Sequence, residues 1–390
     1  MDTDRLDRFM KFIVDNGPTG CAVAVTHRGK TVFSQAYGCA RIHDGTPVTG
    51  RTVFRMYSVT KVVTALAMMQ LLEQGKYSLF EPVEKYLPEF AAMQVAEQSY
   101  NNAVTLTPAQ NKMTIWNLLT MTSGLTYGGS FSEACRQTEK LVEELNRSGY
   151  TCREFSRRIA ALPLDFEPGS HFRYSYSHDV LGALIEVLSG KSYEQYVKEA
   201  IFDPLGMKDS AYFFDDLPGR TVAGYYSRIS GKIVEDPIDD DAYTRKRGFA
   251  SGGAGLLSSL EDMTRLVAEL SAKKPRAERI IGHKTVDLMR QDHLNAAQYQ
   301  DFQHASLGRG WDLLRGYSYG LGVRTLVSLP ESGVSGSIGE FGWGSIGGSF
   351  IVCDPEEELG ICYLHQLRRP DNMENYITPR LKNMVYGMLD

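Results

Sequence analysis

Ser58 and Lys61 stand three residues apart in Phe54-Arg55-Met56-Tyr57-Ser58-Val59-Thr60-Lys61, directly ahead of an apolar helical run. At that spacing both side chains lie on one helix face, so the ammonium can reach the hydroxyl. A serine hydroxyl is a poor nucleophile until a neighbour takes its proton, and a lysine whose pKa is depressed is one group that does so. A helix start adds free backbone N–H groups and a dipole that favour an anion. The chemistry on offer is acyl transfer through a serine ester. The same four residues also describe a serine cap followed by a solvated lysine, so the pair alone decides nothing.

The surrounding pattern must supply what holds the pair. Val62, Leu66, Met69 and Leu72 mark an apolar stripe over residues 61–74, and Gly75 is a natural stop. Further helices are expected at 114–121, 133–146, 180–189, 192–200, 260–271 and 379–388, and an amphipathic one before Gly17 carries Leu6, Phe9, Met10 and Ile13. Strand-like runs at 21–27 and 31–37 meet at Arg28-Gly29-Lys30, which reads as a hairpin. Strand signals return at 319–327, 348–353 and 359–365. Strands at both ends with helices between them predict an α+β fold, one sheet built from both chain ends and a cleft against a helical lobe.

Composition narrows the function. The 390 residues are 43% hydrophobic and 23% charged with a net charge of −5, an ordinary globular profile that excludes disordered and fibrous classes. That balance offers no general attraction to nucleic acid or an anionic membrane, and the basic run Arg245, Lys246, Arg247 is too short to reverse it. No run approaches the roughly 18 apolar residues of a spanning helix. Asp2, Asp4, Asp7 and Asp15 break any signal-peptide pattern, so the expected location is the cytoplasm. Six dispersed cysteines without a C-x-x-C pair read as buried free thiols.

Longer segments then resolve the ambiguity of Ser58 and Lys61. Thr114-Ile115-Trp116-Asn117-Leu118-Leu119-Thr120-Met121-Thr122-Ser123-Gly124-Leu125 resembles a stretch of the serine β-lactamase-like and penicillin-binding-protein family. Phe249-Ala250-Ser251-Gly252-Gly253-Ala254-Gly255-Leu256 and Tyr319-Gly320-Leu321-Gly322-Val323 resemble two others, in the family order, over roughly residues 20–366. The resemblance implies a β-lactamase/transpeptidase-like fold, with a central antiparallel sheet flanked by helices and an inserted helical lobe. It implies one catalytic domain over residues 8–388, with residues 1–57 and about 265–390 in the sheet lobe and about 58–264 in the helical lobe.

The family's Y-x-N motif is matched by Tyr174-Ser175-Tyr176, with Tyr176 in the asparagine's place, after a matching Glu167-Pro168-Gly169-Ser170 turn. A phenol beside Lys61 would titrate with it as a unit, so Tyr174 is the expected partner in proton transfer. The K-T-G strand is matched by Phe341-Gly342-Trp343-Gly344-Ser345-Ile346-Gly347-Gly348, closest in motif to carboxylesterases of the family VIII type. Trp343 takes the lysine's place, and the amide of Ser58 with one near Ile346, within one residue, would form the oxyanion hole beside Gly344 and Ser345. Loss of the motif's lysine removes a cation suited to a substrate carboxylate. The implied activity is a serine hydrolase acting on a small ester or amide substrate through an acyl-enzyme. The alternatives are a β-lactamase, D-aminopeptidase or D-Ala-D-Ala carboxypeptidase of the same fold, or a non-catalytic binding or sensor protein.

Other constellations carry less. Gly316-Tyr317-Ser318-Tyr319-Gly320 matches G-x-S-x-G, followed by Asp354 and His365, but the elbow needs a strand before the serine and a helix after it, and neither is expected. The histidines, including His171 and His178, lack metal-ligand spacing, and no nucleotide fingerprint appears, so no metal or cofactor is expected.

Overall fold

The computed structural model describes residues 3–98, 103–148, 150–236, 249–308, 312–368 and 373–389; the Arg245–Arg247 run lies outside them. The chain opens with helix α1, Asp4–Asn16, and the predicted hairpin follows as β1, Gly20–His27, and β2, Lys30–Arg41. Short strands β3, Thr46–Pro47, and β4, Val53–Arg55, lead to the helix carrying Lys61, α2, Thr60–Glu73. The middle of the chain is mostly helical. Its elements that bear on the site are α3, Ile115–Leu119, α4, Ser177–Ser189, β5, Leu257–Ser259, and α5, Leu260–Ser271. Strands β6, Tyr317–Tyr319, β7, Arg324–Leu326, β8, Phe341–Gly344, β9, Phe350–Asp354, and β10, Leu359–His365, precede the last helix, α6, Met373–Tyr386.

Eight strands form one antiparallel sheet in the order β6-β7-β8-β9-β10-β1-β2-β3. β1 pairs with β10 over Cys21 to His27, so the two chain ends close the sheet as the sequence pattern predicted. Side-chain alternation assigns the faces. Cys21, Val23, Val25, Leu359, Ile361 and Tyr363 pack under α1 and α6 with Leu6, Met10, Ile13, Ile377 and Leu381. Ala22, Ala24, Ile351, Cys362 and Leu364 turn to the opposite face, into the core that holds α2, α4 and α5. Because both faces are covered, these strands read as unbroken apolar runs. β4 belongs to a separate two-stranded ladder with β5.

Three expectations are corrected by packing. α2 is buried on every side from Thr60 to Leu71, so the stripe at Val62, Leu66, Met69 and Leu72 is part of a central helix rather than one face of an amphipathic one. The run 319–327 is two strands joined by a tight turn, in which Gly320 N–H bonds to the Val323 carbonyl at 2.8 Å. Gly322 at φ +78° lets that turn press on α2, where an added methyl would come within 2.5 Å of Ala65 Cβ. α6 starts before Pro379 and contains it. All six cysteines are free thiols. No helix is long and apolar enough to cross a membrane among the described residues.

The start of β8 is tied to α6 through a buried ion pair. Lys382 Nζ meets Glu340 Oε2, with the two side chains 1% and 0% exposed, and Tyr317 Oη donates to Glu340 Oε1 at 2.9 Å. Removing one partner leaves an uncompensated buried charge. Lys382→Met is expected to cost about 3–5 kcal/mol in urea unfolding, and Lys382→Met with Glu340→Leu is expected to recover part of that loss.

Candidate active site

Ser58 lies in a single 3₁₀ turn, Tyr57–Val59, between β4 and α2. Val59 N–H bonds to the Met56 carbonyl, and Thr60 N–H to the carbonyls of Ser58 and Tyr57. Tyr57 is held at φ +42°, a region that costs a bulky residue about 1–3 kcal/mol unless its surroundings enforce it. Its ring packs on Tyr225 with centroids 5.4 Å apart. The turn therefore aims Ser58 out of the helix start into the cleft, one step less regular than a plain helix N-terminus.

Lys61 is fully buried, and its ammonium is the centre of the site. Nζ donates to the Gly253 carbonyl at 2.7 Å and to Ser58 Oγ at 3.4 Å. It also stands 4.6 Å from the centre of the Tyr174 ring and 5.7 Å from that of Tyr127. Cation–π attraction of this kind strengthens where water is excluded. Tyr174, 8% exposed, precedes α4 and receives a hydrogen bond on Oη from Trp343 Nε1 at 3.1 Å. The two rings stack at 5.5 Å and 26°. Ser58 and Lys61, Tyr174, and Trp343 thus come together from three separate stretches of chain. Tyr176, in the asparagine's place, packs edge-on against Tyr127 at 4.3 Å and against Phe155 at 5.3 Å.

The turn after β8 faces Ser58 from the large sheet. Ser345 N–H is taken by the Ser349 carbonyl at 2.8 Å, and Gly348 N–H closes the turn on the Ser345 carbonyl at 3.1 Å. Among the described residues the Ile346 amide has no such partner, and Ile346 is 45% exposed. That geometry favours Ile346 over Ser345 as the turn's available donor, whereas Ser345 is buried and its Oγ accepts from Ser349 N–H at 3.1 Å.

Sequence reasoning missed the layer behind Lys61. Asp179, in the first turn of α4, accepts from Ser251 Oγ at 2.5 Å and from Gly253 N–H at 3.2 Å. Thr64 Oγ1, one turn beyond Lys61, donates to the Gly252 carbonyl at 2.6 Å. The two side chains fix the 251–253 loop so that its carbonyl points at Nζ. Gly253 is required there, since an added methyl would approach Asp179 Oδ2 to 2.6 Å. Burial pushes the Asp179 carboxyl above its ordinary value, an effect opposed by the Ser251 hydroxyl and by Lys61. Burial, with the Lys61 charge, holds His178 well below the usual histidine range, so it is neutral. The only available signal was an aspartate five residues after Tyr174.

The G-x-S-x-G match is dispersed. Ser318 is buried in β6 and donates to Asp292 at 2.5 Å, while His365 is engaged with Tyr363 Oη at 2.8 Å. Glu167 accepts backbone N–H groups of Gln110 and Asn111, a structural role in its turn. No group of three His, Cys, Asp or Glu residues is placed to hold a metal ion among the described residues.

Comparison with known proteins agrees with this architecture. The family model described as Beta-lactamase matches residues 5–382. Esterase EstB of Burkholderia gladioli is 27% identical over 388 residues, covering 94% of this chain and 91% of EstB. Acyltransferase calJ of Penicillium decumbens is 28% identical over 351 residues, covering 86% of this chain and 81% of calJ. The solved structure of EstCE1, a hydrolase with promiscuous acyltransferase activity, superposes with a TM-score of 0.78 at 23% identity over 98% of both chains.

Asp179 binds protons more readily in the folded than in the unfolded chain, so its ionisation destabilises the fold as pH rises from 3.8 through the raised value. Relative to Asp179→Asn, which does not titrate, the wild type is expected to lose stability as pH rises above 3.8 in paired urea titrations.

Proposed function

The chain belongs to the beta-lactamase family and is a serine hydrolase or acyltransferase of that fold, and on that premise we propose that it cleaves small, uncharged esters through a Ser58 acyl-enzyme. Ser58 Oγ attacks the ester carbonyl, and its proton passes to the Lys61–Tyr174 pair. The amides of Ser58 and Ile346 hold the oxyanion, and Tyr174 returns the proton to the departing alkoxide. Water then attacks the acyl-enzyme by the reverse path.

The observation that carries the ester reading is Trp343. At the position where relatives recognising a carboxylate keep a cation, this chain has an indole stacked on Tyr174 and hydrogen-bonded to it. An aromatic cluster, with fully buried Tyr319 behind Trp343 and with Tyr127 against Tyr174 and Tyr176, supports an uncharged acyl group over an anionic β-lactam or D-Ala-D-Ala terminus. The likeness to an esterase over nearly the full length supports the same choice. The likeness to an acyltransferase supports a second reading, in which an alcohol replaces water in the deacylation step.

Short-chain p-nitrophenyl esters are the expected substrates. Ser58→Ala and Lys61→Ala are each expected to lower kcat by about 1000-fold or more, and Tyr174→Phe by about 100-fold or more. A fluorophosphonate probe is expected to label Ser58 by intact mass. Rapid turnover of nitrocefin with no ester hydrolysis would reverse the assignment, and the product ratio with a competing alcohol measures acyl transfer.

A further inference from the structure

The two proposed oxyanion donors belong to different sheets. The Ser58 turn follows β4, whose ladder among the described residues is with β5, whereas the Ile346 turn follows β8 in the large sheet. No strand ladder therefore sets the distance between these two amides, although the oxyanion requires both within about 2.7–3.1 Å.

Gln366, directly after β10 and 4% exposed, spans that gap. Its Oε1 accepts the Arg55 N–H at 3.2 Å, and its Nε2 donates to the Arg55 carbonyl at 3.1 Å. Nε2 donates also to the His365 carbonyl at 2.9 Å. A side-chain amide thus pairs with both backbone groups of one residue, extending the edge of β4 on which Val53 is bridged to residues 221–223. Arg55 is three residues before Ser58.

The other end of the span is Gly347, the residue after Ile346. Leu367 N–H bonds to the Gly347 carbonyl at 3.2 Å. A methyl on Gly347 would lie 3.1 Å from Gln366 Nε2 and 3.2 Å from the Tyr57 ring, so the turn rests directly on Gln366 and on the residue preceding Ser58. Residues 366 and 367 grip a neighbour of each donor.

We propose that Gln366 is a positioning residue that fixes the separation of the Ser58 and Ile346 amides. The inference rests on the acyl-enzyme reading above and names the part that makes its oxyanion hole rigid. It applies to both acylation and deacylation, because each passes through a tetrahedral oxyanion held by the same two amides.

The test compares an ester with its thionoester, whose sulfur accepts hydrogen bonds weakly and draws little from the oxyanion hole. In Gln366→Leu, kcat for the ester is expected to fall about 10–100-fold with KM nearly unchanged, while the thionoester rate falls less than about threefold. If Gln366→Leu does not fold, Gln366→Glu keeps an acceptor for Arg55 N–H and loses the donor, and the same narrowing of the ester-to-thionoester ratio is expected. An unchanged ratio in the folded variant, whether both rates fall together or neither falls, overturns the positioning role while leaving the acyl-enzyme intact. A wild type that neither hydrolyses the ester nor takes up fluorophosphonate at Ser58 overturns the acyl-enzyme reading itself and the inference with it.

Discussion

A lysine side chain without solvent contact organises the site. Taking an ammonium out of water costs several kcal/mol unless nearby groups replace its hydration. Around Lys61 those groups are one carbonyl, one hydroxyl and two aromatic faces, with Asp179 held one layer behind. Each comes from a different part of the chain, so the ammonium draws together α2, α4 and the 251–253 loop.

The sheet does the complementary work. Its closure between β1 and β10 brings the carboxyl-terminal strands beside the amino-terminal hairpin, and the β8 turn then faces Ser58 across the cleft. The glycine-rich run from Gly342 to Gly348 lets the strand and its turn lie close to their neighbours, while Trp343 stacks on Tyr174. A mostly helical middle and a two-ended sheet therefore meet at one line, with Ser58 on one side and the Ile346 turn on the other.

Much of this was legible from residue types. Ser58 and Lys61 were singled out by spacing only together with the longer motifs, Tyr174 and Trp343 by the motifs around them, and the hairpin and β10 by apolar strand patterns. What escaped was long-range. Asp179 and Gln366 act through backbone groups of distant loops, and no periodicity announces a side chain whose partner lies 74 or 311 residues away in sequence. The full burial of α2 was also hidden, because Thr60, Lys61 and Thr64 look like a polar face until their partners are seen. The turn within 319–327 was missed because Gly322 is needed for a contact with α2, not for a local motif.

The two terminal helices have a practical meaning of their own. α1 and α6 pack side by side, with Phe9 stacked on Tyr376 at 6.4 Å, on the face of the sheet turned away from Lys61. A chain tethered to a surface, or joined to another protein, through either of these helices would present its cleft outward. Immobilisation at both ends together would clamp the outer layer without touching the residues that meet a substrate.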